Sequence, residues 1–150
     1  MVRILIDGDG CPVVDRTISL AQEYRVPCIL FCDTSHRLER SGAITVVADK
    51  GKDSVDFVLV NQAAPGDIVV TQDYGLAAMC LGRGAFPIRQ DGLVYSSDNI
   101  DALLMARHTA QRVRRGGGRL KGPSKRTQEE DSDFEASLRK LLEQIGRKRT

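Results

Sequence analysis

The sequence predicts an α/β domain: a mostly parallel central sheet with helices on both faces, then a basic C-terminal arm and a final helix. Three observations carry this. Short apolar runs alternate with stretches of helical periodicity over the first 110 residues. A chain of 150 residues, 41% hydrophobic, is enough for one packed domain and too apolar to be globally disordered. Composition changes abruptly after residue 112, where Arg and Gly replace the apolar pattern.

Val2–Ile6 is the first apolar run and ends at Asp7. Pro12 follows, at a place where a first-turn proline is tolerated. Val14, Ile18, Ala21 and Tyr24 then repeat at near-helical spacing, which predicts a helix over 12–25. Pro27–Cys32 is the second strand. Ile44–Val47, rich in β-branched residues, is the third. Ser54–Gln62 reads as a helix with Val55, Val58 and Leu59 inward. The turn Pro65-Gly66-Asp67 leads into a fourth strand, Ile68–Thr71. Leu76–Leu81 is a short helix closed by Gly82–Gly84. Phe86–Arg89 and Leu93–Tyr95 flank Gln90-Asp91-Gly92 as short strands or a hairpin. Ser97–Ala110 is a helix with Ile100, Leu103 and Leu104 inward. Strands alternating with helices call for right-handed parallel crossovers. This gives an α/β domain over 1–112, an arm over 113–131 and an amphipathic helix over 132–150. Phe134, Leu138, Leu141, Leu142 and Ile145 mark that helix. Its apolar face is expected to dock on the body or on a second copy, which would make a homodimer.

No apolar stretch approaches the ~18 residues of a membrane span, and the chain starts directly on a strand. Cys11, Cys28, Cys32 and Cys80 lack paired zinc-finger spacing, and Cys28 and Cys32 sit in an apolar run. Free thiols in a reducing compartment follow, so a cytoplasmic protein without a membrane partner is expected. The net charge of +2 conceals a split. Residues 1–106 carry 9 Lys and Arg against 14 Asp and Glu, whereas 107–126 carry 8 and none. Arg107, Arg112, Arg114, Arg115, Arg119 and Lys121 fit contact with phosphates, as RNA or another polyanion would offer. A solvated tail, or one folded back on the acidic body, is the plainer reading. No aromatic residue lies in the run, which speaks against base stacking.

Asp7 and Asp9 follow the first strand, and Asp73 follows the fourth. In an open parallel sheet those strand ends form the ligand crevice. Asp53 and Asp56 are three apart at a helix start and share one face. Two like charges 4 Å apart repel by about 4 kcal/mol at an effective dielectric near 20. A cation, protonation or wider spacing must offset this. Mg²⁺ or Mn²⁺ suits an all-oxygen site and could orient a phosphodiester. Helix capping is the alternative for Asp53 and Asp9, a solvated face for Asp56, and a loop cap for Asp33 before Thr34-Ser35-His36.

Asp7-Gly8-Asp9-Gly10-Cys11-Pro12, Lys50-Gly51-Lys52-Asp53-Ser54-Val55-Asp56 and Gly66-Asp67-Ile68-Val69-Val70-Thr71-Gln72-Asp73-Tyr74-Gly75-Leu76-Ala77 resemble the YaiI/YqxD-type family of uncharacterised bacterial proteins. Arg107-His108 and Arg114–Pro123 extend the resemblance toward Leu142. That family is similar to the PIN-like and NYN-type nucleases. The resemblance implies a Rossmann-like, PIN-type sheet and a metal-dependent RNase. It implies Asp7, Asp53, Asp73 and Thr71 as the catalytic set, with Asp9 and Asp56 as supplementary metal ligands for Mg²⁺ or Mn²⁺. Two other readings stay open. Ile4-Leu5-Ile6-Asp7-Gly8-Asp9 resembles the Asp-x-Asp motif of haloacid-dehalogenase-type phosphatases, but no matching downstream Lys or Gly-Asp-x-x-x-Asp segment follows. A non-catalytic metal- or RNA-binding module is the other. Cys11, beside a predicted helix N-terminus where thiol pKa falls, is read as structural rather than nucleophilic.

Overall fold

The computed structural model describes residues 2–49, 54–117 and 125–148. Five strands, β1 (Ile4–Asp7), β2 (Cys28–Asp33), β3 (Ile44–Ala48), β4 (Ile68–Val70) and β5 (Phe86–Ile88), form one sheet. Five helices accompany them: α1 (Val14–Glu23), α2 (Ser54–Gln62), α3 (Tyr74–Gly82), α4 (Ile100–Arg115) and α5 (Gln128–Lys148). The strand order is β3-β2-β1-β4-β5, and every pairing is parallel. The expected α/β, Rossmann-like architecture is what the chain adopts.

Alternation along the central strands divides the core in two. Ile4 and Ile6 of β1, with Ile68 and Val70 of β4, face α1 and α5. Leu5 and Val69 face Leu59 of α2 and Leu76 and Cys80 of α3. Strands β1 and β4 are thus buried on both faces, which explains their unbroken apolar runs. A smaller cluster of Ala77, Tyr95, Ile100, Leu103 and Leu104 seats α4 against α3.

The last helix is part of the main core. Phe134, Leu138, Leu141, Leu142 and Ile145 are all buried among residues of α1, β1 and β4. Each contributes roughly 1.5–3 kcal/mol of burial. Of the two surfaces expected for this face, the helix docks on its own body. Arg16 reaches Asp131 and Glu135, Arg139 reaches Glu23, and the Tyr24 hydroxyl donates to Glu143.

Several boundaries differ from expectation: α1 is two residues shorter at each end, α3 starts two residues earlier at Tyr74, α4 starts three residues later at Ile100, and three further differences have a visible cause. Helix α4 runs to Arg115, three residues into the expected arm, and stops at Gly116 and the left-handed Gly117 (φ 84°). Helix α5 starts at Gln128, four residues early, because Thr127 and Glu130 form a capping box. The Glu130 N–H donates to Thr127 Oγ1 at 3.1 Å and the Thr127 N–H donates to Glu130 Oε1 at 3.3 Å. The expected hairpin shrinks to one antiparallel bridge, Ile88 with Val94, because β5 is taken by β4 in parallel. Among the described residues no helix is long and apolar enough to cross a membrane. All four cysteines are free.

Candidate functional site

The chain lays down β1, β2 and β3 outward in one direction, then returns to place β4 on the other side of β1 and β5 beyond it. The sheet therefore reverses its build direction between β1 and β4, and a crevice opens at their C-terminal ends. The β1–β4 register pairs Ile6 with Val70 and so carries Asp7 alongside Thr71.

Thr71 is fully buried and joins the two acidic positions. Its hydroxyl donates to Asp7 Oδ2 at 2.9 Å and accepts the Asp73 N–H at 3.0 Å. The Tyr95 hydroxyl donates to the Thr71 carbonyl at 3.1 Å and holds that turn from behind. Asp73 caps α3: its Oδ1 accepts the Leu76 N–H at 3.1 Å and lies 3.7 Å from the Arg107 guanidinium. Asp73 Oδ2 has no hydrogen-bond donor among the described residues and stays available.

Burial pushes the Asp7 carboxyl up to about 6, against the lowering effect of the Thr71 hydroxyl. The charges of Asp73 and Asp9 push the same way, while the Asp9 backbone N–H opposes them. Two neighbouring carboxylates thus act on Asp7. Asp9 itself is largely exposed, 4.0 Å from His36 Nδ1. It does not cap α1, whose N-cap residue Val13 makes no side-chain capping bond. Asp33 is the loop cap expected: Oδ1 accepts the N–H groups of Ser35 and His36 and meets His36 Nδ1 at 3.1 Å.

Asp7, Thr71 and Asp73 are brought together. Asp56 lies partly buried in the first turn of α2, where its charge helps raise the Cys80 thiol on α3. Asp53 lies outside the described residues, as do Arg119 and Lys121. Among the described residues no three His, Cys, Asp or Glu side chains are grouped closely enough to hold a metal ion. The oxygen-only pair of Asp7 and Asp73 still fits the habit of Mg²⁺, which takes one or two carboxylates and keeps its waters.

Arg107, Arg112, Arg114 and Arg115 are all exposed along α4, with Arg107 closest to the crevice. Cys11 departs from the helix-terminus expectation. Burial pushes its thiol up to about 11, so it stays protonated at neutral pH. The crevice wall also uses residues that the strand and carboxylate pattern did not single out. Arg89 grips Asp91 through two 2.8 Å bonds and donates to the Tyr74 hydroxyl at 3.1 Å. The Tyr74 and Tyr95 rings meet edge to face with centroids 5.8 Å apart. Tyr74 is expected to line the crevice or pack beside it, from its place after Asp73; for Arg89 and Asp91 the cue is their two-residue spacing before Gly92.

Fold and site define a class: a Rossmann-like α/β domain with Asp7 and Asp73 at the switch point of the sheet, beside a helix carrying exposed arginines. The chain belongs to the YaiI/YqxD family ("Uncharacterized BCR, YaiI/YqxD family"), whose pattern residues 5–144 match. It is 55% identical to a UPF0178 protein of Exiguobacterium sibiricum over 141 residues, covering 94% of this chain and 96% of the relative. A UPF0178 protein of Clostridium acetobutylicum is 48% identical over 143 residues, 94% and 97% of the two chains. One from Ruminiclostridium cellulolyticum is 49% identical over 137 residues, 91% and 90%. No solved structure matches the chain.

Proposed function

We propose that the chain is a cytoplasmic, PIN-like, metal-dependent nuclease acting on RNA. The observation that carries this is the Asp7–Thr71–Asp73 arrangement at the switch point, where an open parallel sheet takes its ligands. Asp7 and Asp73 would hold Mg²⁺ or Mn²⁺, with Asp53, Asp9 and Asp56 in support. The bound ion would supply Lewis-acid stabilisation of charge on the phosphodiester. Thr71 fixes the Asp7 carboxylate by its 2.9 Å hydrogen bond and so sets which lone pairs face the crevice. Arg107 would turn from Asp73 to a phosphate oxygen as substrate arrives. Arg112, Arg114 and Arg115, with Arg119 and Lys121 beyond them in sequence, would follow the backbone without reading sequence.

The test is single-turnover RNA cleavage with Mn²⁺, comparing the wild type with Asp73→Asn. Asparagine is an equally good N-cap, so α3 is preserved while the charge is lost. A rate loss of at least a hundredfold is expected, and equal rates reject the reading. The ion pair between Arg107 and Asp73 favours a second reading, an RNA-binding module that does not cleave. Tight, salt-sensitive RNA binding with no Mn²⁺-dependent cleavage would select it.

A further inference from the structure

Helix α4 has two apolar sides, and only one is used. Ile100, Leu103 and Leu104 pack toward α3 and Tyr95. Ala102, Met105, Ala106, Thr109, Ala110 and Val113 form a second stripe that lines a shallow, almost wholly apolar groove on the outer side. Met105 is 64% exposed and Val113 38% exposed. The stripe repeats at three- and four-residue steps from Ala102 to Val113, eleven rises or about 16 Å of helix. That is the pattern of a helix packed lengthwise against another helix.

We infer that this stripe is the contact between two copies of the chain, with α4 lying antiparallel on α4 of a second copy about a twofold axis between Arg107 and His108. Self-complementarity identifies the occupant. Running the stripe against itself sets Val113 opposite Ala102, Met105 opposite Ala110 and Ala106 opposite Thr109. Each larger side chain meets a smaller one, so the axes can approach to the 8–10 Å of packed helices. The same alignment makes the charges complementary. Asp98 and Asp101 stand at one end of α4, and Arg112, Arg114 and Arg115 at the other. All five are exposed, and none has an ion-pair partner among the described residues. Antiparallel pairing brings Asp101 of each copy within a helical turn of Arg112 and Arg115 of the other. A parallel pair would instead stack arginine on arginine. RNA does not fit the stripe, which offers no cation and one hydroxyl. Residues 118–124 include only one large apolar side chain, Leu120, too little to cover it.

The test is mass in solution for the full chain, by sedimentation velocity and light scattering over a wide concentration range. The wild type is expected at twice 16.5 kDa. Met105→Glu places a charge on an exposed position, leaves the fold intact by circular dichroism, and raises the dimer dissociation constant at least tenfold. Asp101→Arg weakens the dimer several-fold, and adding Arg112→Asp restores it. A wild type that stays monomeric at every concentration overturns the inference, as does a dimer indifferent to Met105→Glu. A monomer that pairs only when RNA is added assigns the stripe to an RNA-dependent assembly and also overturns it. The readout is mass, so it is independent of whether the crevice cleaves RNA.

Discussion

Replacing Asp7 with Asn should stabilise the metal-free protein. Burial and two neighbouring carboxylates raise the Asp7 carboxyl from 3.8 to about 6. The folded state therefore holds this proton more tightly than the unfolded chain. Between those two pH values the Asp7 contribution falls as pH rises, and the loss is complete above about 6. The displacement corresponds to about 3 kcal/mol at neutral pH. Asn keeps an oxygen for the Thr71 hydroxyl at the same place. Allowing for relaxation and local water, a gain of ~2 kcal/mol is expected, or roughly 4–8 °C in melting temperature for a chain of this size. Thermal denaturation in EDTA from pH 4 to pH 8 measures it. The difference between variant and wild type should be near zero at pH 4 and grow to its full value by pH 7. Taking the difference cancels the opposite trend from Asp33 and Asp91, whose carboxyls are lowered by their partners. Adding Mg²⁺ or Mn²⁺ should then raise the wild-type melting temperature and leave Asp7→Asn where it was. An Asp7→Asn protein that is less stable than wild type in EDTA, or whose gain does not depend on pH, would refute the reasoning.

Other sites give independent outcomes. Thr71→Val keeps the shape but strands Asp7 and the Asp73 N–H, so a loss of about 1–3 kcal/mol is expected in urea denaturation, with Thr71→Ser recovering most of it. Gly92 has φ 98°, and a Cβ there would sit 2.7 Å from the Asp133 carbonyl oxygen. Gly92→Ala should therefore cost about 2 kcal/mol or more and loosen α5, seen as faster hydrogen exchange over that helix. Asp67 is almost fully buried and is met by Arg3 at 2.6 Å and the Ala64 N–H at 2.9 Å. Arg3→Met leaves that carboxylate half-satisfied and should cost about 2–3 kcal/mol by the same denaturation assay.

The strands were legible because burial on both faces demands continuous apolar runs, and Leu5 and Val69 show why: their neighbours point to the opposite side and are just as buried. Helix α2 falls on the expected residues because Val55, Val58 and Leu59 keep a helical step. The end of α4 was hidden because Arg112, Arg114 and Arg115 are arm-like in composition yet good helix formers, and only Gly116 and Gly117 stop the helix. The start of α5 was written in Thr127 and Glu130 as a capping box, masked by the basic run before it. Asp7 with Asp73 was legible from strand ends alone. The role of Thr71 as a bridge depends on the β1–β4 register, a relation between distant segments that no local pattern encodes. That Arg107 leans on Asp73 depends in the same way on how α4 crosses α3.

The docking of α5 has a consequence for how the chain is made. Synthesis delivers the whole sheet, with α1, α2 and α3, before Phe134 is added. Until Phe134, Leu138, Leu141 and Leu142 leave the ribosome, the side of β1 and β4 that α1 and α5 share is covered by α1 alone, and the rest of it meets water. Chains cut short before Phe134 should therefore be digested by protease faster than the full chain. Release from that hazard comes only when the amphipathic turns of α5 fold down as a cover.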